Sequence, residues 1–167
     1  MNIDVKIRLI DERYKQGIWE MPTYETDGSA AIDLRAAISE PVVIPAGGCV
    51  LIDTGVSVYV QDPGYAAVIL PRSGLGHKKG LVLGNGTGLI DSDYQGPLMV
   101  SAFNRNPAPF PIPALNAIAK DPIVINPGDR IAQLMFIPIA RASLQVVDSF
   151  DEETSRGDGG FGSTGIS

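Results

Sequence analysis

Arg72 and Ser73, in Pro71-Arg72-Ser73-Gly74, directly follow an apolar run ending at Leu70, so a guanidinium fork, a hydroxyl and accessible amides emerge where a strand meets a loop. That set suits phosphate oxygens, which a planar fork can grip at two points. Asp91, in Gly88-Leu89-Ile90-Asp91-Ser92-Asp93-Tyr94-Gln95-Gly96, is a carboxylate able to take a proton from water, with Tyr94 near enough in sequence to pack against a sugar. Gly128-Asp129-Arg130-Ile131-Ala132-Gln133 adds a cation and an amide, although Arg130 can equally pair with a local aspartate. Asp33 interrupts an apolar strand, either as an outward-facing strand residue or as a functional carboxylate. The last twelve residues, Arg156 to Ser167, carry five glycines around Arg156 and Phe161. They read either as a disordered Gly/Ser tail or as a lid whose backbone amides approach a flat anionic ligand.

Several familiar chemistries are excluded. No Gly-x-x-x-x-Gly-Lys-Ser/Thr is present, and Gly157-x-Gly159-x-x-Gly162 lacks the preceding strand and following helix that a dinucleotide fingerprint needs. One histidine and one cysteine are too few for a His/Cys zinc site within one subunit. His77 reads as a solvated loop residue and Cys49 as a small buried hydrophobe. A net charge of −6 argues against a polymeric nucleic-acid partner, whose binding depends on basic patches. No apolar run is long enough for a bilayer and no signal-peptide pattern opens the chain, so the expectation is no membrane and a cytoplasmic, reducing location.

These residues must be positioned by a turn-rich β protein. At 167 residues, with 44% hydrophobic and 19% charged residues, the chain is expected to form one domain. Its 19 glycines and 13 prolines are scattered, as in short strands joined by tight turns. Ile3, Val5, Ile7 and Leu9 alternate with Asp4, Lys6 and Arg8, the period of a strand with one buried face. Further strands are predicted at 30–36, 42–44, 50–52, 56–60, 65–70, 81–83, 98–103, 123–125, 131–139 and 144–147. Gly84-Asn85-Gly86-Thr87-Gly88 is expected to close a β-hairpin between 81–83 and 89–90, with Asn85 near its tip. The spacing implies a sandwich, barrel or jelly roll. The candidate helix is 112–120, within an insertion whose proline-rich start, 106–113, reads as a surface loop.

Taken in order, Ala31-x-Asp33-Leu34, Pro71-Arg72-Ser73-Gly74, Gly88-Leu89-Ile90-Asp91-x-x-Tyr94-x-Gly96, Gly128-x-Arg130-x-Ala132-Gln133 and the tail from Arg156 to Gly165 closely resemble the motifs of the trimeric deoxyuridine triphosphatases, the dUTPases. The resemblance runs from residue 3 to 165. It implies an all-β distorted jelly roll (β-clip) over 1–155, a flexible glycine-rich arm over 156–167, and a homotrimer whose sites combine motifs from three chains. It also implies Mg²⁺-assisted hydrolysis of dUTP to dUMP and pyrophosphate, which limits uracil entry into DNA and supplies dUMP for thymidylate synthesis.

Residue by residue, the resemblance makes Asp91 the carboxylate that deprotonates the water attacking the α-phosphorus. Arg72, Ser73 and Gly74 become the phosphate-binding group, with Ser73 near the bridging oxygen, and Gln133 assists at the phosphates. Arg130 becomes a structural partner within its motif. Asn85, the backbone of Leu89 and Ile90, and Met99 line a uracil pocket, and Tyr94 lies beneath the deoxyribose. Phe161 covers the base, while Arg156 and the amides near Gly162 and Ser163 reach the β- and γ-phosphates. Mg²⁺ is held mainly by the phosphates, with Asp33 contacting it through water.

The chain departs from the family at two places. Ala31 stands where the family usually has glycine, which is expected to be tolerated, and the insertion at 106–120 has no assigned role. The rival readings are a dCTP deaminase of the same fold and a non-catalytic, nucleotide-gated regulator.

Overall fold

A computed structural model describes residues 3–107, 122–150 and 154–157. Its described elements, in chain order, are β1 (Lys6–Leu9), α1 (Glu12–Lys15), β2 (Ile32–Arg35), β3 (Val42–Ile44), β4 (Cys49–Asp53), β5 (Val56–Tyr59), β6 (Tyr65–Pro71), α2 (Ser73–Lys78), β7 (Leu81–Leu83), β8 (Gly88–Ile90), β9 (Met99–Asn104), β10 (Ile123–Ile125) and β11 (Arg130–Pro138). The architecture is the all-β class expected. The strands pair antiparallel in four sheets, ordered β1-β5, β10-β3, β2-β11-β6-β8 and β4-β9-β7.

One hydrophobic cluster draws on all four sheets, with Leu34, Ile44, Ile52, Val56, Leu98, Val100, Ile125 and Leu134 fully buried. The opening alternation holds, since Ile3, Val5, Ile7 and Leu9 are half-buried and Asp4, Lys6 and Arg8 exposed. In β6, Ala66, Ala67, Val68 and Ile69 are all buried, which explains an unbroken apolar run at a strand covered on both faces. Buried polar groups tie neighbouring strands and sheets together. Thr54 Oγ1 donates to Leu98 O at 2.8 Å, and Asn104 Nδ2 donates to Ile44 O at 3.0 Å. No buried side-chain polar atom among the described residues lacks a partner.

Several expectations are corrected. Residues 144–147 form no strand, and Leu144 and Val146 stand 89% and 101% exposed, because no described strand pairs with them. The 84–88 turn does not close a hairpin, since β7 pairs with β9 and β8 pairs with β6, so the turn carries the chain from one sheet to another. Cys49 is exposed on the outer face of β4, its thiol 3.2 Å from Ser101 Oγ. Two short helices appear where none was foreseen, and Arg72 therefore precedes α2 rather than a loop, with His77 exposed on that helix. Asn106 is not loop surface. It is buried, its Nδ2 donating to Lys79 O at 2.8 Å and its amide to Asn104 Oδ1 at 3.1 Å.

The candidate helix at 112–120, with Phe161, Gly162 and Ser163, lies outside the described residues. Among the described non-glycine residues only Gln61 has positive φ, so Ala31 sits in no conformation that requires glycine. No helix among the described residues is long and apolar enough to cross a membrane.

Candidate active site

The centre of the four-stranded sheet gathers three of the sequence segments in one row. Gln133 on β11 stands opposite Asp33 on β2 and Leu70 on β6. Leu70 leads through Pro71 into Arg72 and Ser73, so strand register alone delivers Asp33, Gln133 and Arg72 to one end of the sheet. Arg130 joins them because of an irregularity. In a regular strand residues three apart face opposite ways, but the β2–β11 register shifts between Arg130 and Ala132. Ile131 and Ala132 are consecutively buried as a result, and both Arg130 and Gln133 face Asp33.

Ion pairs and hydrogen bonds fix this end. Arg72 Nε lies 3.0 Å from Asp33 Oδ1, and Arg72 Nη1 donates to Arg130 O at 3.0 Å. Arg130 Nη1 lies 3.2 Å from Asp33 Oδ2 and 2.5 Å from Glu25 Oε1. Gln133 Nε2 donates to Pro71 O at 3.1 Å, locking the amide against the end of β6 that leads into Arg72. Arg35, Arg72, Lys79 and Arg130 line a cleft of about 340 Å³ together with Asp129, and Asp33 and Glu25 pair with two of these cations, which leaves the cations in slight excess among the described residues. That excess of cation over anion suits a polyanion. Ser73 and Gly74 are exposed at the start of α2 beside it.

The second group lies along β8, the turns that flank it and the start of β9. Ile90 pairs with Ala67, four residues before Pro71, which is roughly 13 Å of strand at the usual rise. Asp91 follows Ile90 and is exposed, as is Asn85 on its turn. Leu89 is 65% and Met99 36% exposed. Gly84 N donates to Ser101 O at 2.8 Å, so the turn leads from β7 past the β9 strand that begins at Met99. Tyr94 Oη donates to Pro97 O at 3.0 Å, and its ring lies over Gly96 so closely that a Cβ there would collide with the phenol oxygen. Within one chain the register therefore carries Asp91 away from Arg72 along β6, whereas Asn85 precedes Gly88, which pairs with Ile69 nearer to Arg72. Arg156 is exposed in a turn at 154–157.

The described residues contain no cluster of three or more His, Cys, Asp or Glu placed to hold a metal. Asp33 nonetheless suits contact through metal-bound water, because a carboxylate accepts about four hydrogen bonds and its ion pairs leave part of that capacity. Sequence reasoning missed Glu25. It sits in a polar stretch with no motif and meets Arg130 across 105 residues, a contact that carries no local signal. It also missed the close approach of the Tyr94 ring to Gly96, although the glycine was part of a motif.

The dUTPase family model matches residues 18–120 and 114–165. The chain is 55% identical over 164 residues to a deoxyuridine 5'-triphosphate nucleotidohydrolase of Haemophilus ducreyi, covering 98% of this chain and 97% of that protein. It is 48% identical over 166 residues to the protein of that name from Xanthomonas campestris pv. campestris, covering 99% of each. Among solved structures it is similar to a mutant dUTPase of Staphylococcus bacteriophage 80alpha with dUpNHpp, at TM-score 0.73 and 25% identity over 98% of this chain and 99% of that one. It also resembles a mutant dUTPase from phage phi11 of S. aureus, described with a structural Mg(II) ion, at TM-score 0.72 and 28% identity over 89% and 99%.

Proposed function

Because the chain belongs to the dUTPase family, we propose that it hydrolyses dUTP to dUMP and pyrophosphate. The observation that carries this reading is the phosphate end of the sheet, where Arg72 is held by Asp33 and by Arg130 O beside Ser73 and Gln133. The phage enzyme with the dUTP analogue dUpNHpp supports the choice of substrate.

In the proposed reaction Asp91 accepts a proton from water as its oxygen attacks the α-phosphorus. The bond from that phosphorus to the bridging oxygen breaks, and pyrophosphate leaves with the electron pair. Donors held in place beforehand stabilise the developing charge without reorganising, the role given to Arg72, Ser73 and Gln133. Asn85, the backbone of Leu89 and Ile90, and Met99 receive the uracil, and Tyr94 packs under the deoxyribose. Phe161, Gly162, Ser163 and Arg156 close the site as an arm over 156–167, beyond a body spanning 1–155. Mg²⁺, with Asp33 as its contact through water, would neutralise phosphate charge. The phi11 neighbour, described with a structural Mg(II) ion, is in keeping with Mg²⁺ as the metal.

The separation of Asp91 from Arg72 along β6 supports a site shared between copies, as in a homotrimer. The protein is proposed to act in the cytoplasm on a free nucleotide. The dCTP deaminase alternative is not favoured, since the relatives and neighbours named above are dUTP hydrolases. Pyrophosphate release from dUTP with Mg²⁺, for wild type and Asp91→Asn, tests the reading. Ammonia from dCTP without pyrophosphate from dUTP sinks it, and equal rates in the two proteins sink the role of Asp91.

A further inference from the structure

We propose that Glu25, from the segment between α1 and β2 and outside every motif, is a positioning residue for the phosphate fork of Arg72. The inference rests on the reading of Arg72 as a phosphate ligand.

The contacts form a ladder of alternating charge. Glu25 Oε1 lies 2.5 Å from Arg130 Nη1, the same nitrogen lies 3.2 Å from Asp33 Oδ2, and Asp33 Oδ1 lies 3.0 Å from Arg72 Nε. Arg72 is closed back onto the ladder by its Nη1 bond to Arg130 O at 3.0 Å. The guanidinium is thus pinned by Nε and Nη1, leaving its remaining donors to face a ligand. Asp33 is shared by two arginines, and how it divides between them depends on what else holds Arg130. Glu25 takes that share. Without it Arg130 Nη1 keeps only Asp33 Oδ2 as a carboxylate partner and can draw that carboxylate toward itself, which shifts the Oδ1 that holds Arg72 Nε.

The segment that presents Glu25 is anchored independently of that pair. The Trp19 ring lies against Gly128, where a Cβ would stand 3.0 Å from Nε1, and the Arg13 guanidinium stacks 4.0 Å from the Trp19 ring centroid. Trp19 and Glu25 therefore bracket the turn that leads through Gly128 into Arg130. The Glu25 side chain is 56% exposed, so its pair with Arg130 adds little to folding, and its loss is expected to act on geometry.

The test compares steady-state pyrophosphate release from dUTP by wild type, Glu25→Gln, Glu25→Asp, Arg72→Lys and the double variant Glu25→Gln/Arg72→Lys, with thermal midpoints for each. Glu25→Gln is expected to raise KM about 3- to 10-fold with kcat within about twofold and an unchanged midpoint. Glu25→Asp is expected to recover part of the KM. In the Arg72→Lys background the Glu25→Gln step is expected to have no further effect, because the fork it positions is gone. An unchanged or lowered KM in Glu25→Gln, or additive effects in the double variant, overturns the inference while leaving the dUTPase reading intact. A wild type that releases no pyrophosphate overturns both.

Discussion

At one end of β6, Arg72, Asp33, Arg130 and Glu25 hold one another in ion pairs, whereas along β8, its flanking turns and the start of β9, Asn85, Leu89, Asp91 and Met99 stand exposed. The first end is set by strand register and by a bulge, so its geometry exists before any ligand arrives. The second offers surface and few side-chain bonds among the described residues, and under the proposed reading its groups act once a substrate or another chain covers them. Phosphate oxygens are small, charged and identical in every nucleotide, so donors fixed in advance suit them. Base and sugar recognition needs enclosure, because an unpaired polar edge discriminates only where water is shut out.

The largest effect expected at the open end is that of Asp91→Asn. Turnover of dUTP should fall on the order of 10²- to 10⁴-fold, the usual contribution of a general base. The unfolding midpoint should stay the same, since the residue is exposed. A fall in stability matching the loss of rate would erase the contrast between the two ends.

At the fixed end, Gly128→Ala reverses that pattern. Gly128 has φ +85°, and a Cβ there would stand 3.0 Å from Trp19 Nε1, so alanine meets both an unfavourable backbone and a packed ring. A loss of about 1–3 kcal/mol in denaturant unfolding is expected, the usual cost of a non-glycine residue in that conformation. Trp19, the one tryptophan of the chain, reports the displaced contact by its emission. An alanine variant as stable as wild type would show that the turn is not clamped.

Gly96→Ala is a smaller change aimed at the open end. Its Cβ would push the Tyr94 ring off Gly96. The preference for dUTP over UTP, measured as a ratio of kcat/KM, should drop roughly tenfold if Tyr94 packs beneath the deoxyribose. An unaltered ratio would remove Tyr94 from sugar recognition.

What the sequence made legible follows the same division. Strands 42–44, 81–83 and 123–125 match their predicted limits because each is a short apolar run bounded by glycine, proline or polar residues. The motifs around Asp33, Arg72 and Gln133 were visible as residue types, and strand pairing then brought them together. Pairing choices were hidden: the glycines at 84–88 announce a turn without saying that its arms enter different sheets. At 144–147 apolar spacing marks a surface fit to be covered, and nothing described in the chain covers it. Cys49 was misread because its alternation with Ile52, rather than its apolar neighbours, decides which face it takes. Two glycines and no apolar stripe concealed α2, whose sequence is SGLGHK. Glu25 was invisible because its partner is 105 residues away.

The smallest predicted effect tests how far the anchoring of the fixed end extends. Asp11 accepts from Arg13 Nε at 2.8 Å and from the Arg13 amide at 2.9 Å, and Arg13 in turn stacks on the Trp19 ring that covers Gly128. The side-chain hydrogen bond from Arg13 holds the Asp11 carboxyl below its ordinary 3.8, outweighing burial, which acts the other way. Because the folded value is depressed, the stabilisation is fully present above the unfolded value and is lost as pH falls through the folded one. Asp11→Asn removes the charge but keeps a side chain able to cap α1. Its deficit against wild type should be about 1 kcal/mol or less at pH 7, as for a partly exposed ion pair, and should shrink below pH 3.8. Unfolding midpoints of both proteins between neutral and acid pH measure it. A deficit that stays constant into acid would mean that Asp11 contributes packing rather than charge, and would separate the Arg13–Trp19 contact from the ion pair beneath it.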